Sequence, residues 1–157
     1  DDIADLYILR AALEGVAARL AAERVSARDL QRLRRSVERF DAIAADNGSP
    51  VEALVKENLA FHTAILEIAG NERIAQMVTG VTELPLVYRS YLWYSPSQRS
   101  ISAHYHRRIL AALEARDPER AESVMKEHVF EARDVLVARV RASLEQDHPE
   151  AIAQGEA

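Results

Sequence analysis

The sequence contains no cysteine, which excludes both a disulfide framework and a thiolate metal site. That absence fits a reducing compartment, and the cytoplasm is the expected location. Glycine and proline are scarce, five of each in 157 residues. No apolar run approaches the roughly 20 residues of a membrane span, and the opening DDIADLY has no signal-peptide character. Strand-like alternation, internal repeats and low-complexity segments are missing as well. So is a basic stripe: the formal charge is −5, with both signs interspersed, which makes this chain by itself a poor grip for phosphates. The arginines at 32, 34, 35 and 39 are broken up by Asp29, Glu38 and Asp41, the pattern of a solvated helix face.

What is present is helix-forming. Alanine, leucine, arginine and glutamate are abundant, and these residues lose little on entering a helix. The apolar spacing predicts a first helix from about Ile3 to Arg24 through Leu6, Leu13, Val16, Ala17 and Leu20. Ser26 with Asp29 reads as a capping box for a second helix, which fades at Asp46-Asn47-Gly48. Ser49-Pro50 predicts the N-cap and first residue of a third, with Glu52 at the capping-box position and Gly70 as its left-handed end. Asn71 caps a fourth, which Pro85 should kink or split. Ser95-Pro96 opens a fifth, reaching about Ala115. Asp117-Pro118 opens the last, reaching about Leu144 before a frayed QGEA tail. Short connections predict one all-α domain over residues 1–157, an antiparallel bundle of six to seven helices.

Histidines carry the chemistry. His148 lies in the polar tail, but His62, His106 and His128 each sit on an apolar face. His62 lies among Val55, Leu59, Ile65 and Leu66, with Asn58 one turn before it on the same face. His106 shares its face with Ile109, Leu110 and Leu113, while His104, two residues away, points elsewhere. His128 lies among Ala121, Val124, Met125, Ala132 and Val135. Each ring alone is readily a hydrogen-bonded core histidine. Three in one small core are costly unless each finds a partner, and one divalent ion satisfies all three together. Spacing alone does not make them converge. On the first helix Arg10 falls on an otherwise apolar stripe. It either pairs with Glu14 four residues on or reaches inward to take a carboxylate. Arg89, with Tyr88, Tyr91, Trp93 and Tyr94, either lines a pocket or belongs to the core.

Three stretches in order then resemble one family. DLYILRAALEGVAARLAAER, ENLAFHTAILEIAGN and HRRILAALEARDPERAESVMKEHV are similar to the C-terminal effector-binding domain of FadR-type regulators in the GntR superfamily. The resemblance covers nearly the whole chain. It implies an internal metal and effector site, with Asn58, His62, His106 and His128 as ligands and Arg10 on the effector side; Arg89, from its place among the aromatics, is the second candidate on that side. Zinc is the first choice of ion, with nickel, manganese and iron as alternatives. The implied effector is a small organic acid, whose binding would bias a winged helix-turn-helix domain that is not in this chain. Operator DNA would be touched only through that domain, and a homodimer is expected. Where metal-binding relatives commonly have Asp, this chain has Asn58; a neutral amide leaves the ion's charge uncompensated.

Two rival readings follow from the same residues. Three histidines around an open metal position are also a catalytic zinc site, but no H-E-x-x-H or paired E-x-x-H motif is present. Alternatively the histidines are core, and the chain is a metal-free helical dimerisation domain.

Overall fold

The computed structural model describes residues 2–82 and 84–147. The tail from residue 148, with His148, lies outside them. Seven helices follow one another: α1 (Asp2–Arg24), α2 (Ala27–Ala45), α3 (Val51–Ala69), α4 (Glu72–Val81), α5 (Leu84–Leu92), α6 (Pro96–Glu114) and α7 (Pro118–Asp147). No strand occurs among the described residues.

Capping chemistry sets most of the boundaries. Ser26 and Asp29 form the expected capping box, and Ser95 forms a second one with Gln98. Gly70 ends α3 at φ 60°, ψ 30°, a conformation that costs glycine little. Asn71 caps α4 by accepting from the Ile74 amide. The start of α3 departs from the sequence expectation. Pro50, not Ser49, is the N-cap residue and makes no side-chain cap. The Ser49 hydroxyl instead donates to Asp46 at 2.8 Å, so the preceding turn captures the group that would have capped the helix. The segment holding Pro85 is split rather than kinked: α4 stops at Val81, and the proline falls in the first turn of α5, where its missing N–H costs nothing.

Helix α1 is the hub, packing on α3, α4, α6 and most extensively α7. Its inward face carries Ala11, Ala17, Ala18, Ala21 and Ala22, all buried, and side chains this small admit close neighbours. Gly15 takes this furthest: a Cβ built there would stand 2.9 Å from the Lys126 methylenes of α7. The far end of α1 is tied down by Arg116, the described non-glycine residue with positive φ (50°). Its guanidinium donates to the Val25 carbonyl at 2.6 Å and to that of Glu23 at 3.4 Å. A cation at a helix C-terminus offsets the dipole there. Two apolar clusters result. One lies along α1, α3, α6 and α7. The other is built on Phe40, Leu54, Val55, Val87, Tyr91, Tyr94 and Ala103. His106 lies between them, with ring centroids 4.4 Å from both Phe40 and Phe61.

A candidate metal and effector site inside the bundle

Three helices bring their histidines to one interior point. His62 from α3, His106 from α6 and His128 from α7 are all buried, with ligand-capable nitrogens within 4.8 Å of one another. His62 Nε2 and His128 Nε2 stand 3.2 Å apart. Asn58, one turn before His62, points its Oδ1 to within 3.2 Å of His106 Nε2. His104 is exposed, as the helical spacing required.

The donor set suits a divalent ion. Two ligand atoms each about 2.0–2.2 Å from an ion, at tetrahedral or octahedral angles, stand about 3–3.5 Å apart. The His62–His128 separation of 3.2 Å falls in that span. Protonation state points the same way, since neutral imidazole is the ligating form. Burial, then the neighbouring His128 and His62, holds His106 well below the usual imidazole range. Burial and the adjacent His62 push His128 down to about 3. The Nδ1 atoms of His106 and His128 are buried without a protein partner.

His62 is different, because its Nδ1 is bonded to Glu14 of α1. A carboxylate behind an imidazole fixes the ring and leaves Nε2 as its free donor atom. The sequence shows Glu14 only as a neighbour of Arg10 on the same face. That it also reaches His62 depends on the packing of α1 against α3, which no local pattern reveals. Arg10 does pair with Glu14: its Nε and Nη2 donate to Glu14 Oε1 at 3.0 and 2.8 Å. Burial opposes ionisation of Glu14, yet Arg10 and then His62 outweigh it and hold the carboxyl well below its usual range. The Nε edge of Arg10 is therefore spent on Glu14, leaving Nη1 and the outer side of Nη2 for anything else. The guanidinium also lies 5.0 Å over the Tyr7 ring.

Two cavities meet at this centre and share Arg10, Asn58 and His62 as a common wall. The smaller, about 20 Å³, is closed by Tyr7, Ser90, Tyr91, Tyr94 and His128. The larger, about 270 Å³, extends between α1, α3 and α4 past Leu59, Leu66, Val78 and Thr82. Tyr7 was not singled out in the sequence, although it lies three residues before Arg10 on the same face. The sequence expectation for Arg89 is not met by its placement. Arg89 is exposed and lines neither cavity. The α5 face of Val87, Ser90, Tyr91 and Tyr94 turns inward, and residue 89 is rotated off it by the helical period. Trp93 packs partly buried against the larger apolar cluster, and the side chain of Tyr88 is outside those described. The arginines of α2 behave as a solvated face, with Arg32, Arg34 and Arg39 paired to Glu67, Glu114 and Glu57.

Seven helices closed around a buried polar centre rich in histidine define the class: an all-helical bundle domain with an internal site. Residues 5–131 match the FCD domain, and the chain belongs to that family, a regulatory domain of GntR-type transcription regulators. It is 30% identical over 87% of its length to the HTH-type transcriptional regulator LutR of Bacillus subtilis. It is 31% identical over 80% of its length to the Glc operon transcriptional activator of Escherichia coli. The chain spans 63% and 51% of these relatives' own lengths. Among solved structures, E. coli McbR/YncC superposes with a TM-score of 0.77 at 22% identity, over 86% of this chain and 67% of that one. Streptococcus agalactiae GntR superposes with a TM-score of 0.64 at 27% identity, over 84% and 58%. No helix among the described residues is long and apolar enough to cross a membrane.

Proposed function

We propose that this domain is the effector sensor of a transcription regulator, and that it reads a small organic acid through a bound divalent ion. Asn58, His62, His106 and His128 would hold the ion, with zinc preferred and nickel, manganese or iron as alternatives. The ion would supply a Lewis-acidic seat for a carboxylate oxygen. Arg10 would take the same carboxylate through Nη1 and the outer side of Nη2. The observation that carries this reading is the meeting of three buried imidazoles from three helices, two of them 3.2 Å apart at Nε2. Burying three such rings without a shared partner is costly.

Charge supports the anionic effector. The ligand set is neutral, and the nearest carboxylate, Glu14, is already balanced by Arg10. A divalent ion here leaves a buried positive charge that an anion offsets. Residues 1–157 serve as one effector domain in this reading. A winged helix-turn-helix elsewhere in the full protein carries DNA binding, and the regulator works as a homodimer in the cytoplasm. Elemental analysis of the purified protein, followed by thermal melts with and without chelator and with small carboxylates, tests the whole reading. Absence of a stoichiometric metal, with melts indifferent to chelator, overturns it in favour of a metal-free helical domain.

A further inference from the structure

The two cavities that share Arg10, Asn58 and His62 differ in what they can hold. The smaller, about 20 Å³, has room for about one water-sized occupant. The larger, about 270 Å³, exceeds the roughly 150 Å³ that accommodates benzene. By that scale it takes a molecule of up to about ten heavy atoms. A one- or two-carbon acid seated at the ion and Arg10 would leave most of this space unused.

The lining says what kind of body belongs there. Leu59, Leu66 and Val78 give it apolar walls, completed by Thr63, Thr79 and Thr82. Arg10 is the single Arg or Lys among the described residues lining either cavity. The other charged group on the larger wall is Glu14, an anion. A second carboxylate on the ligand would thus meet no cation and would face Glu14. The Thr79 hydroxyl already donates to the Ala75 carbonyl at 2.8 Å, and the Thr82 oxygen is covered by protein atoms, so neither turns a free hydroxyl to the cavity.

We infer that the effector is a monocarboxylic acid with a neutral, largely apolar body of several carbons. The carboxylate sits at the Arg10 end, and the body lies between α3 and α4. Dicarboxylates and acids of one or two carbons are disfavoured. This rests on the proposed function, because the carboxylate seat is the one described there.

Titration calorimetry on the zinc-loaded chain tests it with acetate, hexanoate, adipate and hexanamide. Hexanoate should bind about tenfold tighter than acetate, from methylenes buried in a half-open cavity. Adipate should bind more weakly than hexanoate. Thr63→Trp, at an exposed wall position, should abolish the gain of hexanoate over acetate while leaving acetate itself unchanged. Equal affinities for acetate, hexanoate and adipate overturn this inference while sparing the carboxylate seat. Binding of hexanamide as tight as that of hexanoate, or of no carboxylate at all, overturns the seat and the inference with it.

Discussion

Glu14 and His62 are bonded through the imidazole Nδ1, although they stand 48 positions apart on different helices. The contact fixes His62 with Nε2 turned toward His128, and it places the one buried carboxylate of the centre behind a ligand rather than among the ligands. Glu14→Gln should lower zinc affinity about 10- to 100-fold, the usual cost of losing such a partner. It also strands the Arg10 charge, so stability should fall by about 3–5 kcal/mol. Competition titration against a zinc chelator, paired with chemical denaturation, reads both effects. Unchanged zinc affinity would mean that the Glu14 contact has no bearing on the metal.

The histidines themselves should separate cleanly. His106→Ala and His128→Ala should lose the metal, together with the stabilisation it confers. That loss is about 4 kcal/mol at free metal a thousandfold above Kd. His104→Ala, at an exposed position, should do neither. Elemental analysis and thermal melts with and without chelator suffice. Equal effects at all three positions would remove the distinction on which the ligand assignment depends.

Arg10 and Asn58 should act on the two halves of the site separately. Arg10→Ala should weaken carboxylate binding about tenfold or more, as expected for a charge-assisted pair, while metal content stays stoichiometric. Asn58→Asp should tighten metal binding, because a carboxylate offsets the ion's charge, and should weaken the response to carboxylates. Arg89→Ala should change neither, since that side chain faces solvent. Calorimetry on the four proteins gives the comparison. A carboxylate response in Arg10→Ala equal to that of the unmutated chain would remove Arg10 from recognition.

Acid should destabilise the metal-free protein earlier than carboxylate titration alone would. The buried His128 titrates at about 3, whereas an unfolded chain takes up that proton near pH 6.5. Between those values the unfolded state binds more protons than the native state, so stability falls as pH drops below about 6.5. His106 is shifted the same way by its burial. Glu14, held below its usual range, adds a stabilisation that is present above about pH 4.5 and lost as pH falls through its folded value. Denaturation midpoints of chelated protein between about pH 8 and 4 check this. A flat profile from about pH 7 to 5 would contradict neutral burial of the two imidazoles.

Much of the bundle was legible in the sequence because its helix ends are written in local chemistry. Ser26 with Asp29, Gly70, Asn71 and Ser95 act where their residue types say they should. Ser49 misled because two local partners competed for one hydroxyl, and Asp46 won. The inward aim of His62, His106 and His128 followed from the 3.6-residue period, but their convergence required the family resemblance. Arg89 shows the limit of reading a pocket from a cluster of aromatics, since a single residue of helix rotation separates it from the cavity-lining Ser90. The link from Glu14 to His62 and the wall made by Val78 and Thr82 are products of packing between distant segments. No window along the chain contains them.

The break after Val81 leaves α4 mechanically apart from the rest. Its neighbours are α1 and, more lightly, α3, and Val78 is its one fully buried side chain. Besides Val78 it buries only parts of Ile74, Ala75 and Val81. Displacing this short segment would therefore cost less than moving α1 or α7. The least deeply anchored side of the bundle is thus the outer wall of the larger cavity. A molecule wedged there spends little of its binding energy on deforming the protein.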